Sequence, residues 1–95
     1  MKTLCVYILK CADDTFYIGV TNNIDRRLTE HSTGHDANSY TAQRLPVKLV
    51  YKEFIEGPMR AIKREKQIKN WTREKKLALI NGDIERLRSL AKKRW

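Results

Sequence analysis

A single carboxylate interrupts an apolar helical pattern in the second half of the sequence. Glu65 falls four residues after Ala61 and three before Ile68, so on a helix it lies on or beside the stripe that should face the protein. An unpaired buried Glu is costly, which leaves two interpretations. Glu65 could bind a hard cation such as Mg²⁺, for which one or two carboxylates plus phosphate oxygens suffice. The alternative is a structural ion pair with a cation of the same helix: Arg60, Lys66 or Lys69.

A second candidate group lies on an earlier predicted helix. Arg27 and His31 are one turn apart and flank the apolar stripe of Ile24 and Leu28. A guanidinium can hold a phosphate through two parallel hydrogen bonds, which an ammonium cannot do. An isolated Arg on a helix is usually solvated and an isolated His is usually structural. Arg27 and His31 therefore indicate a functional site only if other reactive groups lie beside them.

Two tyrosines lie on the first two predicted strands. Tyr7 and Tyr17 share a face of the sheet only if the numbers of opposing residues sum to an even value, for example with Tyr7 opposite Gly19. Half-buried strand positions favour Tyr without any function. With Tyr7 opposite Gly19, we expect the glycine to leave open space beside Tyr7 for a backbone or a ligand.

The charge balance predicts an anionic partner. The 95 residues carry 20 Lys and Arg against 11 Asp and Glu, a formal net charge of +9, and such a field attracts polyanions over a Debye length. Nucleic acid is the first expectation, with an anionic membrane or a merely solubilising surface as the alternatives. Two consecutive predicted helices carry a phosphate-contacting set of cations, Arg60, Lys63, Arg64, Lys66, Lys69, Arg73, Lys75 and Lys76.

Length and composition indicate one domain over residues 1–95. Cys5 and Cys11 would lie about 20 Å apart along an extended strand, too far to form a disulfide, so we expect reduced thiols. The sequence shows no signal-peptide pattern and no segment near the roughly 20 apolar residues of a membrane span. We therefore expect a cytoplasmic protein without membrane association.

The elements that must position these side chains follow from periodicity and turn signals. Strands are predicted over 4–9, 15–20 and 47–54, and helices over 24–32, 58–71, 73–80 and from 83 onwards. The segment Thr21-Asn22-Asn23 supplies helix-capping side chains, and Thr72 and Asp83 are suited to cap later helices. The order ββαβααα predicts an α+β fold, a three-stranded antiparallel sheet flanked by helices.

Two further segments carry expectations. The polar stretch 33–45 shows no sustained period and reads as a long loop. Strict alternation along the third strand would place Val47, Leu49 and Tyr51 on one face and Val50 and Phe54 on the other.

Several blocks, matched in order and spacing, resemble the GIY-YIG endonuclease signature. The first set is Cys5-Val6-Tyr7, then Tyr17-Ile18-Gly19 ten residues later, Val20-Thr21-Asn22, Arg26-Arg27-Leu28 and His31. Further blocks resemble the short stand-alone branch of that superfamily, namely Ser39-Tyr40-Thr41, the segment 46–51 and the segment 64–69. The resemblance spans about residues 4–80. Cys5 stands where the motif has Gly, which affects local packing and removes no catalytic group.

The resemblance implies three roles at the scissile phosphate. Tyr7 matches the tyrosine that activates water, Tyr17 the tyrosine that assists at the phosphate, and Arg27 the arginine that neutralises charge in the transition state. A tyrosine with its usual pKa of about 10 is a poor base at neutral pH, so Arg27 or His31 must help Tyr7 to ionise, or the proton must pass through it. The sequence leaves these routes open.

The resemblance implies further roles outside this group. Glu65 matches the ligand of Mg²⁺ or Mn²⁺, His31 an auxiliary catalytic position, and Asn81 a late asparagine position. We expect Tyr7, Tyr17, Arg27 and Glu65 to converge on one concave, solvent-reachable site. The basic residues expected to bind nucleic acid are Lys63, Lys66, Lys69, Arg73 and Lys76.

The resulting expectation is metal-dependent endonucleolytic hydrolysis of DNA, in DNA repair or processing, with DNA favoured over RNA. The rival is a non-catalytic nucleic-acid-binding module that keeps the same fold, supported by the basic helix pair.

Overall fold

The computed structural model describes residues 2–34 and 39–92. Its sheet contains β1 (Thr3–Lys10), β2 (Phe16–Thr21) and β3 (Lys48–Glu56) in the order β2-β1-β3, with both pairings antiparallel. The central strand is buried on both faces, since five consecutive residues from Cys5 to Leu9 are buried. A continuous apolar run is what such a strand requires.

Four α-helices complete the fold and confirm the predicted order ββαβααα and the α+β class. They are α1 (Ile24–Ser32), α2 (Pro58–Lys69), α3 (Arg73–Ile80) and α4 (Ile84–Lys92). Asn23, Thr72 and Asp83 each accept a hydrogen bond from the backbone amide three residues later. The caps predicted at Thr72 and Asp83 are confirmed, and Asn23 is the capping residue of the predicted segment Thr21-Asn22-Asn23. The predicted loop 33–45 contains a short 3₁₀ helix, Ala42–Arg44, and its residues 35–38 lie outside the described part.

Two core clusters lie on opposite faces of the sheet. On the first, which we call the α2 face, Val6 and Ile8 pack with Ala61 and Ile68 of α2 and with Leu79 of α3. On the second, which we call the α1 face, the buried residues are Cys5, Tyr7 and Leu9. They are packed against Ile24 and Leu28 of α1 and against other partly buried side chains. The apolar stripe of α2 therefore covers one face of the sheet, and the apolar stripe of α1 covers the other.

The hairpin register places both strand tyrosines on the α1 face. Tyr7 is opposite Gly19, the pairing expected for a shared face, and Tyr17 is opposite Leu9. Because alternate residues of a strand share a face, Leu9 lies on the same face as Tyr7, and Tyr17, directly opposite Leu9, lies on that face too.

The predicted faces of β3 are wrong from residue 51 onwards. A bulge interrupts the pairing, since Ile8 is opposite Tyr51 whereas Leu9 is opposite Leu49, and Val50 is the extra residue. Tyr51 consequently packs on the α2 face together with Val50. Phe54 is opposite Cys5, which puts it on the α1 face, where it is 61% exposed.

None of the helices within the described residues is long and apolar enough to cross a membrane.

Candidate active site

A chain of three polar side chains joins the central strand to α1 and to the loop before β3. The Tyr7 hydroxyl lies 3.0 Å from Nε2 of His31, and Nδ1 of His31 lies 2.7 Å from Oγ1 of Thr41. Tyr7 is 2% exposed and Thr41 is 1% exposed, so both ends of the chain are shielded from water. Buried polar groups of this kind hold one another in place because none of them can exchange its partner for solvent.

The protonation states in this chain follow from burial. Burial, followed by the charge of Arg27, lowers the pKa of His31 below its ordinary value. Burial is also the main reason that the pKa of Tyr7 is raised, with a further contribution from Tyr17 and an opposing one from Arg27. At neutral pH His31 is therefore uncharged and the Tyr7 hydroxyl is protonated. A neutral imidazole has one donor and one acceptor nitrogen, so it can relay a proton between its two neighbours.

Tyr17 and Tyr40 extend the site toward solvent. The ring of Tyr17 lies 4.9 Å from that of His31, 6.3 Å from that of Tyr7 and 6.2 Å from that of Tyr40. Tyr40 is 39% exposed and the guanidinium of Arg44 lies 3.8 Å from its ring centroid. Such spacings are typical of tilted aromatic contacts.

Sequence reasoning did not identify Thr41 or Tyr40 as site residues. Both come from the loop for which no periodicity was visible, and the signal that could have found them was the Ser39-Tyr40-Thr41 block of the resemblance.

The expectation of open space beside Tyr7 is wrong. A Cβ atom built on Gly19 would overlap the hydroxyl and the ring of Tyr7. The Tyr7 ring therefore occupies the volume that a side chain at position 19 would need, and Gly19 allows the ring to pack against β2.

Arg27 lies beside the tyrosine and histidine with an unsatisfied donor. Its Nε is buried and has no hydrogen-bond partner within the described part of the chain. The nearest carboxylate oxygen, Oε1 of Glu30, is 3.8 Å from Nε, beyond hydrogen-bond distance, and the Arg27 side chain is 43% exposed. A buried unsatisfied donor is uncommon and favours an acceptor that arrives from outside, such as a phosphate oxygen.

Glu65 is placed near the edge of this site by α2. Its side chain is 12% exposed, and Oε2 lies 2.5 Å from Nζ of Lys69 one turn later, so one of the ion pairs weighed from the sequence is present. Lys69 in turn lines a groove of about 270 Å³ together with Tyr17 and Tyr40. Glu65 is thus linked to the groove of Tyr17 and Tyr40 through its ion pair with Lys69, and its convergence with the tyrosines and its role as a metal ligand stay predictions.

The predicted nucleic-acid-binding cations divide into groups. Lys69 and Lys76 line the groove beside Tyr17, and the guanidinium of Arg73 lies 4.7 Å from the ring of Phe16, another lining residue of the same groove. Lys63 lines a separate groove together with Ile55 of β3 and other residues of α2.

Two predicted residues have no contact with the tyrosine and histidine cluster. Lys66 is exposed on α2. Asn81 is exposed at the C-terminal end of α3, and no hydrogen bond of the described residues connects it to that cluster. Their predicted roles stay predictions.

A second groove, formed by residues of the described part of the chain, lies away from the tyrosines. It has a volume of about 840 Å³ and runs between Trp71 and Leu90. We assign the candidate site to the smaller groove because Tyr17, which lines it, contacts the rings of Tyr7 and His31, and proximity to reactive groups identifies a site better than volume does.

Among residues 2–34 and 39–92, no group of three or more His, Cys, Asp or Glu side chains could hold a metal ion by itself. A closed structural site for zinc needs four such ligands. Mg²⁺ and Mn²⁺ bind through one or two carboxylates completed by water and substrate phosphate. The single, mostly buried carboxylate of Glu65, whose partner Lys69 lines the groove of Tyr17, fits such an ion and does not fit a self-contained cage.

Comparison with known proteins finds a matching family and similar sequences. The family model described as the GIY-YIG catalytic domain matches residues 3–78. The chain is 48% identical to a UPF0213 protein of Syntrophus aciditrophicus over 86% of its own length and 94% of the relative. It is 51% identical to a UPF0213 protein of Clostridium perfringens over 81% of its own length and 82% of the relative.

Two solved structures resemble the fold. The solution structure of a UPF0213 protein from Bacillus halodurans is 35% identical, with a TM-score of 0.55 and 83% of each chain covered. That of a protein from E. faecalis is 36% identical, with a TM-score of 0.60 and 86% of each chain covered.

Proposed function

This chain belongs to the GIY-YIG family, and from that premise we propose that it is a Mg²⁺-dependent endonuclease that hydrolyses phosphodiester bonds of DNA. The observation that carries the proposal is the hydrogen-bonded chain Tyr7–His31–Thr41 beside the unsatisfied Nε of Arg27. It supplies a route for a proton and a donor for a phosphate oxygen within one small volume. Hydrolysis of a phosphodiester requires both proton transfer and stabilisation of the charge on the phosphate.

The proton route runs from water through Tyr7 to His31. As the water oxygen attacks phosphorus, the Tyr7 oxygen accepts a water proton while its own proton passes to Nε2 of His31, 3.0 Å away. Thr41 favours transfer toward His31 when its Oγ1 accepts a hydrogen bond from Nδ1–H, because Nε2 then carries no proton and can accept the one from Tyr7. His31 rather than Tyr7 is the final base, which suits a tyrosine whose pKa burial has raised.

Arg27 and Tyr17 receive the phosphate. The Nε of Arg27 gains its missing partner when a phosphate oxygen enters, and the charge-assisted bond strengthens as charge builds up on phosphorus. Tyr17 lies between the groove and His31, where its hydroxyl can orient a second oxygen. Because Tyr7 itself is almost fully buried, water enters past the half-buried side chains of Arg27 and Tyr17.

Glu65 is the residue that would hold the divalent ion, shared with phosphate oxygens of the substrate. When bound, Mg²⁺ or Mn²⁺ supplies charge neutralisation on the phosphate and acidifies its coordinated water. The lysines beside the groove, Lys69 and Lys76, contribute positive potential for the strand.

We further propose that the protein acts on DNA in preference to RNA, in repair or processing, and that it does so in the cytoplasm. The net charge of +9 supports a polyanionic substrate. The two buried, unpaired thiols of Cys5 and Cys11 support a reducing compartment.

The second candidate function is a nucleic-acid-binding module without catalysis. The observation that favours it is the ion pair of Glu65 with Lys69, which is the arrangement expected of a structural carboxylate. Incubation with single-stranded, duplex, nicked and branched DNA and with RNA, each with and without Mg²⁺, separates the two candidates. Cleavage that requires Mg²⁺ and is lost in Tyr7→Phe supports the enzyme, whereas binding without cleavage of any of these forms supports the module.

A further inference from the structure

The carboxylate that would hold the metal is neutralised by a movable cation. Glu65 is 12% exposed, whereas its partner Lys69 is 54% exposed, and their charged atoms are 2.5 Å apart. An unpaired buried charge is costly, and Lys69 supplies the opposite charge beside Glu65. A lysine on the surface end of a flexible stem can leave that position without disturbing the core.

The same lysine borders the groove beside Tyr17. Lys69 of α2 and Lys76 of α3 both line it, and Arg73 lies at its Phe16 end. Burial, and after it the charge of Arg73, lower the pKa of Lys76, so Arg73 and Lys76 repel each other. A phosphate group in the groove would relieve this repulsion, and Lys69, which already lines the groove, would be free to bind the phosphate once released from Glu65.

We propose that Lys69 is a metal-responsive switch: it neutralises Glu65 until a divalent cation binds there, and its ammonium then moves to a backbone phosphate of the strand in the Tyr17 groove. This inference rests on the proposed function, because it takes Glu65 as the metal ligand. A divalent cation at Glu65 would repel the Lys69 ammonium, because both would share one negative charge, and would thereby release the lysine to the substrate. Metal and nucleic acid consequently bind with positive coupling, and the coupling is reciprocal.

The metal half of the proposal is tested without nucleic acid. Mn²⁺ is titrated into the parent, Lys69→Met and Lys63→Met proteins, with the free ion measured by electron paramagnetic resonance. Lys69→Met should bind Mn²⁺ roughly two- to fivefold more tightly, because the ion no longer has to break a partly exposed ion pair. Lys63→Met, with the same charge change beside a separate groove, should match the parent. Unchanged, weaker or unmeasurable Mn²⁺ binding by Lys69→Met overturns the switch.

The substrate half is tested by DNA binding in a background that cannot cleave. In Tyr7→Phe protein, the affinity for a fluorescein-labelled DNA duplex is measured with and without Mg²⁺ at constant ionic strength. Mg²⁺ should tighten binding, and adding Lys69→Met should reduce that gain several-fold because one phosphate contact is lost. An equal gain in both proteins overturns the switch.

Glu65→Gln separates failure of the switch from failure of the proposed metal site. If Glu65→Gln binds Mn²⁺ as tightly as the parent, Glu65 is not the ligand and that part of the proposed function is wrong. If Glu65→Gln loses Mn²⁺ while Lys69→Met binds like the parent, the metal site stands and only the switch is wrong. Far-UV circular dichroism of each variant verifies the fold.

Discussion

The hydroxyl of Tyr7 and Nε2 of His31 lie 3.0 Å apart, although 24 residues separate them in the sequence. The contact links the central strand to the last turn of α1, and it exists because α1 packs its Ile24 and Leu28 onto the same sheet face that carries Tyr7. Of the routes that the sequence left open, this contact supports the one that we propose, in which a proton passes through Tyr7. Burial disfavours a tyrosinate here, whereas a neutral imidazole is available as the final acceptor.

The first prediction concerns pH. Burial lowers the pKa of His31 below its ordinary value of 6.5, so the imidazole stays neutral to more acidic pH than in a free peptide. The single-turnover cleavage rate should therefore be level near neutrality and fall only below pH 6.5. His31→Gln should lower the plateau by about 10²-fold and abolish this acid limb. An acid limb of unchanged shape in His31→Gln would exclude His31 as the base.

The same shift predicts a loss of stability in acid. Because the folded protein binds the His31 proton less tightly than the unfolded chain does, the free energy of unfolding should decrease as the pH falls from 6.5 toward the lowered pKa. Above pH 6.5 His31 is neutral in both states and contributes no such dependence. Urea denaturation of the parent and His31→Gln across this range measures the difference.

The third prediction assigns a positioning role to Thr41. Thr41→Val keeps the shape but removes the oxygen 2.7 Å from Nδ1, so His31 loses the partner that fixes its tautomer. Cleavage should fall about tenfold, and the free energy of unfolding should fall by about 1–3 kcal/mol because a buried nitrogen is left unpaired. Thr41→Ser should restore most of both. Imidazole ¹⁵N chemical shifts report the tautomer directly, and an unchanged tautomer in Thr41→Val would contradict the assignment.

How much of this arrangement the sequence could predict depends on how local its causes are. The caps at Thr72 and Asp83 depend on one side chain and one nearby amide, so residue type sufficed. The shared face of Tyr7 and Tyr17 could be predicted because it requires only that the numbers of opposing residues sum to an even value.

The errors arose where a single residue or a distant contact decides the outcome. One extra residue, Val50, reversed the faces of Tyr51 and Phe54, and a bulge leaves no periodic trace. Thr41 was missed because its partner is ten residues away on a helix, across a loop without pattern. The space over Gly19 was misjudged because a strand pattern does not show which way a neighbouring ring leans.

The fourth prediction tests whether the Tyr7 ring fills the space over Gly19. Gly19→Ala places a methyl group against the Tyr7 hydroxyl and should lower the free energy of unfolding by about 1–3 kcal/mol. The cost should come from the ring, since Gly19 is absent from the glycines with positive φ. In a Tyr7→Ala background, Gly19→Ala should therefore cost little. A double-mutant cycle by urea denaturation measures this coupling, and equal costs in both backgrounds would assign the effect to the strand backbone.

The last prediction separates the catalytic arginine from a merely basic one. Arg27→Lys keeps the charge but removes the planar fork and the buried Nε that lacks a partner, so single-turnover cleavage should fall by roughly 10²–10³ with little change in DNA affinity. Arg26→Lys is the matched control, because Arg26 is the neighbouring residue of α1 and is exposed. It should cut at nearly the parental rate.

The two variants must be compared at saturating DNA, so that any change in affinity cannot appear as a change in rate. A parental rate for Arg27→Lys would mean that positive potential alone suffices at this position, and the role given to the guanidinium would be wrong. Equal losses in Arg26→Lys and Arg27→Lys would instead point to a general effect on α1. Only a loss confined to Arg27→Lys fits a guanidinium that donates to phosphate oxygens in the transition state.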